Sequence, residues 1–412
     1  MLSSLAFLAT ACGGDDDEEG GDDPADEEAP PAEDVLGEPD EATGEPVKVG
    51  IIHEGGSDAI GSQSALTETG AEIAAEYANE YLGGIAGRPI ELVFCGTEAT
   101  PAGAQDCANQ MVEQDVVAVT MPFNGFGEAT APIITGAGIP YVIGSGNSAA
   151  ELTAPGAFAL TGGYPGTLGA FARHAADQGF EKFAMITIDV PSATQAAEQL
   201  GGMVFGNAGV EFDVITAAPG TPDLTPQLQA AVDGGADAIG LTGDVTFCTS
   251  FLQAYQTLAL TVPKYLIGPC VDQTVIESLG PVLEGSLLAT GSSGAGDDVE
   301  LYGAMVATYG EDIDPDPIVS TGVAAGTGAV MNLVRAMEGL TGEVTKDTVM
   351  AQMQAAADVP LWLADGQTFT CDGSAVAMMP NVCSVGFYIG TLTAEGGVED
   401  PVPVDPTSLF EL

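Results

Sequence analysis

The chain has 412 residues and is 45% hydrophobic, enough for two or three domains with a sizeable buried core. Sixty acidic residues against seven basic ones give a formal charge of −53, a field that repels nucleic acid and anionic membrane surfaces and excludes both as partners. The same acidity keeps a protein soluble where salt screens its surface, which fits a saline habitat or a lineage bias and says little about fold.

No apolar run reaches the roughly 18 residues that span a bilayer. Residues 1–11, MLSSLAFLATA, resemble the apolar core and small-residue end of an export signal, without its basic start. Residues 12–46 are dominated by Asp, Glu, Gly, Pro and Ala. Such a segment buries too little apolar surface to offset its ordering entropy and is predicted to be a disordered acidic tether. Order is predicted from Val47, where VKVGII reads as a buried first strand.

Strands and helices then alternate. ALTETGAEIAAEYANEYL has helical spacing of Leu66, Ile73, Tyr77 and Tyr81. PIELVFC reads as a strand, PAGAQDCANQMVEQ as a helix, VVAVTMP as a strand, GEATAPIITGAG as a helix and IPYVIGSG as a strand. After a Gly-rich break at Thr161–Gly169 comes a helix over about 166–178, followed by the strand FAMITID. TQAAEQLGGMVFGNAG, LTPQLQAAVDGG, TFCTSFLQAYQTLAL and VIESLG read as helices, separated by the strands VEFDVITA, ADAIGLTG and PKYLIGP and followed by EGSLLATG. Further helices are predicted near 294–309, 317–340 and 344–357, and the chain ends in Gly-rich strands that include SVGFYIGTLTAEGG.

Repeated βα units with short loops imply parallel sheets covered by helices on both faces. The predicted fold is therefore α/β, with two doubly wound parallel-sheet lobes. The late helices are too many for the second sheet alone. The chain is accordingly expected to cross back near Gly291 and return near Trp362. The N-terminal lobe then comprises 47–163 and 291–361, the C-terminal lobe 164–290 and 362–412, and three crossings make a hinge.

There are seven cysteines. Pairing Cys95 with Cys107, Cys248 with Cys270 and Cys371 with Cys383 closes short loops of the kind that disulfides staple outside the cytosol. It leaves Cys12 unmatched. The alternative is six free, buried thiols. A metal site is not expected, since no CxxC occurs and His53 and His174 are far apart. No G-x-S-x-G elbow, Walker A loop or zinc constellation is present, so an enzyme is not expected either.

The stretch ANEYLGGIAGRPIELVFCGTEATPAGAQDCANQMV (78–112) runs helix end, N-x-x-GGI-x-GR, strand, then a helix with AN-x-x-V. It resembles the binding proteins for branched-chain amino acids and related solutes, the substrate-capturing subunits of ABC importers, with the type 1 periplasmic binding protein fold. IPYVIGSGNSAAELT (139–153) is similar to the same family's third-strand segment.

The resemblance implies a small polar solute held between the lobes, a membrane permease as partner, no cofactor and a monomer. It also gives contact candidates. In the first lobe these are Ser57, with Asp58 beside it, then Asn124, Gly125, Ser145, Asn147 and Ser148. Helix caps explain Asn124, Asn147 and Ser148 equally simply.

In the second lobe, Cys270 stands where amino-acid binders place an amine-recognising acid, and Ser192 and Ala193 where a tyrosine often stands. Asp189, Asp244 and Asp272 are the available acids, each with a loop-cap alternative. The solute is thus expected to be an amino acid, amide, urea or short carboxylate. A sensor of the same fold, signalling to a membrane receptor, is the competing reading. Cys12, ahead of an acidic tether, reads as a lipid-modified N-terminus that anchors the protein outside the cytoplasm.

Overall fold

The computed structural model describes residues 32–55, 61–123, 125–311, 313–315 and 321–411. The export-signal segment, Cys12, Ser57, Asp58 and Asn124 lie outside the described residues.

The first sheet is built from strands β1 (Val47–His53), β2 (Ile90–Gly96), β3 (Ala118–Phe123), β4 (Tyr141–Ser145) and β5 (Ala157–Thr161) in the order β2-β1-β3-β4-β5. Every pair is parallel. The first strand is almost wholly buried, with Val49, Ile51 and Ile52 fully enclosed, as a strand covered on both faces must be. β5 has no alternation and follows Pro155–Gly156, so its five residues are hard to separate from the preceding loop in the sequence.

The helices Asp297–Tyr309 and Thr321–Ala336 return to this lobe. The second lies across the helix Gly61–Tyr81 at a crossing set by two glycines. A Cβ on Gly326 would stand 2.1 Å from the Thr67 carbonyl oxygen, and one on Gly70 2.1 Å from that of Val323.

The second sheet takes β6 (Lys182–Ile188), β7 (Glu211–Ala217), β8 (Ala238–Thr242), β9 (Lys264–Leu266) and β10 (Leu287–Thr290) in parallel. A small hairpin, β11 (Val359–Pro360) with β12 (Thr368–Phe369), stands apart. Then β13 (Phe387–Leu392) and β14 (Val398–Val404) extend the second sheet antiparallel, giving the order β14-β13-β10-β9-β8-β6-β7. The last strand, VEDPVPV, carries acids and prolines that suit an edge. The helix predicted around 194–209 runs as one rod from Pro191 to Ala208, with a π-turn at Ala197–Gly201.

Two expectations change. Part of the tether is ordered: Ala32–Leu36 is helical, Leu36 is buried, and its carbonyl accepts from Tyr77 Oη at 3.3 Å. Farther along, Ala42 N–H donates to Asn79 O, and Gly83 N–H donates back to Asp40 O. Val35 and Leu36 supply the apolar surface that the rest of this stretch lacks.

The return to the second lobe also comes later than Trp362. Trp362, Leu363 and Phe369 still pack into the core beneath the first sheet. The Trp362 indole N–H donates to Thr327 at 3.0 Å, and its backbone N–H donates to Asn332 at 2.8 Å. Cys383 N–H still donates to Ala159 O of β5, whereas Phe387 opens β13. The third crossing therefore lies at about 384–386.

The three disulfides are Cys95–Cys107, Cys248–Cys270 and Cys371–Cys383. The last closes a loop in the first lobe just ahead of the third crossing. Among the described residues no helix is long and apolar enough to cross a membrane.

Candidate functional site

In doubly wound sheets, loops leaving the carboxyl ends of the strands form the binding crevice where strand order reverses. Here the reversals fall between β1 and β3 and between β6 and β8. Two adjacent residues bring these edges together. Gly163 lies against the loop after β4, where a Cβ would stand 2.7 Å from Gly146 O and 2.9 Å from Ser145 Oγ. The next residue, Tyr164, shares a 2.9 Å hydrogen bond with Thr242 at the end of β8. Burial pushes the Tyr164 hydroxyl up to about 12, opposed by Thr242, so it remains neutral.

On the first edge, Ser145 closes β4, with Asn147 exposed and Ser148 half-buried just beyond. Ser148 is the N-cap of the short helix Ala149–Thr153, in a capping box with Glu151. The Asn147 side-chain amide donates to Ser145 O at 3.0 Å.

Glu151 is fully buried. Its carboxylate accepts from Asn147 N–H (3.1 Å), Ser148 N–H (3.0 Å), Ser148 Oγ (2.9 Å) and Tyr141 Oη (3.3 Å). Desolvation raises its pKa, and these bonds hold it back. The start of the helix Gly127–Gly136 presses on this carboxylate. A Cβ on Gly127 would come within 2.2 Å of Glu151 Cδ, so only glycine fits.

The amide of Gly125, one of the contact candidates, is already bonded. Glu54, one residue beyond β1, reaches across and accepts from it at 2.5 Å. Glu54 was not singled out by sequence reasoning. Its position directly after the first strand, between two segments that were, is the signal that could have found it. Glu128 likewise accepts from Ala150 N–H at 3.1 Å.

His53, at the end of β1, is structural. It is buried, its Nδ1 accepts from Gly55 N–H at 3.1 Å, and its Nε2 lies 2.6 Å from Glu68 Oε1 without the alignment of a hydrogen bond. Burial lowers its pKa, and Glu68 partly restores it.

On the second edge, Asp189 follows β6 and is exposed; Thr194 approaches it at 3.5 Å. Asp244 follows β8 and caps the helix Val245–Thr257 through Phe247 N–H at 2.8 Å. Asp272 caps Gln273–Leu283 through Thr274 N–H at 2.9 Å. The strands order these acids as β6, β8, β9 along one edge. Cys270 is held in its disulfide with Cys248.

None of the seven basic residues stands in a loop leaving the carboxyl end of a parallel strand. Lys48, Lys182 and Lys264 sit at or next to the amino ends of β1, β6 and β9. Arg88 donates to Glu45 O and Lys346 to Ala137 O, just ahead of β1 and β4. Arg173 pairs with Asp177 and Arg335 with Asp298. Among the described residues no His, Cys, Asp and Glu cluster could hold a metal ion.

A family model described as periplasmic binding protein matches residues 46–382. No curated protein matches the chain. Solved structures share the fold. A leucine binding protein, LivK, from Thermotoga maritima is 18% identical, with a TM-score of 0.68 over 87% of this chain and 99% of that one. A fatty acid ABC transporter substrate-binding protein from Thermomonospora curvata is 17% identical, with a TM-score of 0.66 over 89% and 93%. An ABC transporter solute binding protein from Rhodopseudomonas palustris BisB5, in complex with 3,4-dihydroxy benzoic acid, is 18% identical, with a TM-score of 0.63 over 88% and 98%.

Proposed function

The chain belongs to the periplasmic binding protein family, and we propose that it captures a small polar solute between its two lobes and delivers it to the permease of an ABC importer. One observation carries the reading. The carboxyl ends of the parallel strands of two separate sheets meet at Gly163–Tyr164, where the chain first crosses between them. A solute that touches both edges does so fully only when the lobes close, so binding shifts the population to a closed form that a permease can distinguish.

Ser145, Asn147 and Ser148 are the contacts proposed from the first lobe, together with Ser57, Asn124 and Gly125. Asp189, Asp244 and Asp272 are those from the second. Amino acids, amides, urea and short carboxylates are the solute classes to consider; the relatives named above span leucine, fatty acid and a benzoic acid. Capture without turnover is the role. The protein acts outside the cytoplasm, held at the membrane face by lipid on Cys12 and reaching outward through the acidic segment that follows.

A thermal-shift screen across these classes tests the reading. The true solute stabilises the folded chain as RT ln(1 + [L]/Kd), so the shift grows with concentration and saturates only logarithmically. Absence of any concentration-dependent shift across the panel would overturn solute capture.

A further inference from the structure

We propose that the cleft selects a solute with a cationic amine or ammonium group and no carboxylate, and that Glu54 is the residue that sets this preference. The inference rests on the reading of the cleft as a solute site and narrows it.

Three observations carry it. First, amides on the first edge that would cradle a ligand carboxylate already hold the chain's own carboxylates. Glu54 is on Gly125 N–H, Glu151 on the N–H groups of Asn147 and Ser148, and Glu128 on Ala150 N–H. Glu151 cannot swing away to make room, because it is fully buried with the glycine start of a helix packed on its carboxyl carbon.

Second, no arginine or lysine stands in any loop at these strand ends, so a ligand carboxylate would meet no compensating charge. Third, the facing edge carries Asp189, Asp244 and Asp272, of which Asp189 and Asp244 are exposed. A carboxylate in this crevice would have acids on both sides. An ammonium group would be attracted from both.

Glu54 differs from Glu151 in being only half-buried, one residue past β1, with its carboxylate placed between the strand ends of β1 and β3. That exposure lets it act on a ligand as well as cap Gly125. A cap alone would affect stability and leave solute preference unchanged.

The test uses the purified full chain and three matched pairs: lysine against cadaverine, leucine against leucinamide, and glycine betaine against choline. Titration calorimetry and thermal shift measure both members of each pair. The carboxylate-free member should bind at least about tenfold tighter in the pair that fits the cleft. In Glu54→Ala, which opens the Gly125 amide, that ratio should collapse by about tenfold or more. Glu54→Gln keeps an acceptor for Gly125, so its unliganded melting temperature should stay near wild type while amine affinity falls.

Tighter binding of the carboxylate member, or a ratio unchanged in both variants, would overturn the proposal and leave solute capture standing. Binding of uncharged sugars alone would do the same. Failure of every solute in this set and in the wider screen would instead overturn solute capture itself.

Discussion

At the scale of single residues, His53 is buried and His174 half-buried, and in both desolvation lowers the pKa below 6.5. His174 is held by Tyr265 at 2.8 Å, and His53 sits at the end of β1. A histidine kept neutral in the fold contributes stability that is present above the unfolded pKa. That contribution is lost as pH falls through 6.5 toward the lowered folded value, because the unfolded chain takes up the proton first. Urea unfolding at pH 7.5 and pH 5.5 should therefore show wild type losing more stability than His53→Gln/His174→Gln. Equal losses would mean that neither ring is held neutral.

The candidate contacts were only half legible at this scale. Asp244 and Asp272 stand where strand ends lead into helices, and both cap those helices. A cap and a ligand contact use the same residue types at the same positions, so sequence alone cannot separate the two roles. Glu54 was passed over for a different reason. Its partner Gly125 is 71 positions away, and the bond exists only because β1 and β3 are neighbours in the sheet.

At the scale of elements, the crossing of Gly61–Tyr81 with Thr321–Ala336 is an exacting contact in the first lobe. Backbone meets backbone there, so no side-chain rotamer can relieve an added methyl. Gly326→Ala puts that methyl 2.1 Å from the Thr67 carbonyl oxygen. Overpacking of this kind costs about 1–3 kcal/mol and more where the neighbour is rigid, so we expect a loss of roughly 3 kcal/mol in denaturant unfolding. A variant of wild-type stability would mean that the helices sit farther apart.

Elements were the most legible level. The strong βα alternation was readable as two parallel sheets, and the surplus of late helices pointed to a return to the first lobe, where Tyr302, Met305 and Val330 share a core with Val49 and Ile51. The turn in LGGIAGR was also legible: Gly83, Gly84 and Gly87 all take positive φ. What failed was the end of that return. Trp362 opens an apolar, irregular stretch that reads like the start of a new lobe, yet it buries its indole against Thr327 of the first. The antiparallel β14 was missed because acids and prolines, which protect an edge, weaken its strand signal.

At the scale of the whole molecule, the charge of −53 and the hinge act on each other. The two edges that must approach for closure carry Glu54, Asp189, Asp244 and Asp272, and the basic residues stand elsewhere. Closure of the empty protein therefore brings like charges together, while the remaining acids strain the fold through self-repulsion. Salt shortens the range of both effects, from about 10 Å at 0.1 M to about 3 Å at 1 M. Raising NaCl from about 0.1 M to about 2 M should then increase the melting temperature by several degrees and reduce the radius of gyration measured by X-ray scattering. The increment should be largest below about 1 M, where the screening length changes most. An equal concentration of sucrose separates the causes. It favours compact states by exclusion from the surface and leaves charge repulsion untouched. If sucrose reproduces the whole effect, repulsion between the lobes is not what opposes closure of the empty protein. If only salt compacts the chain, a bound cation should compact it further at low salt, because it supplies between the lobes the positive charge that the sequence withholds there.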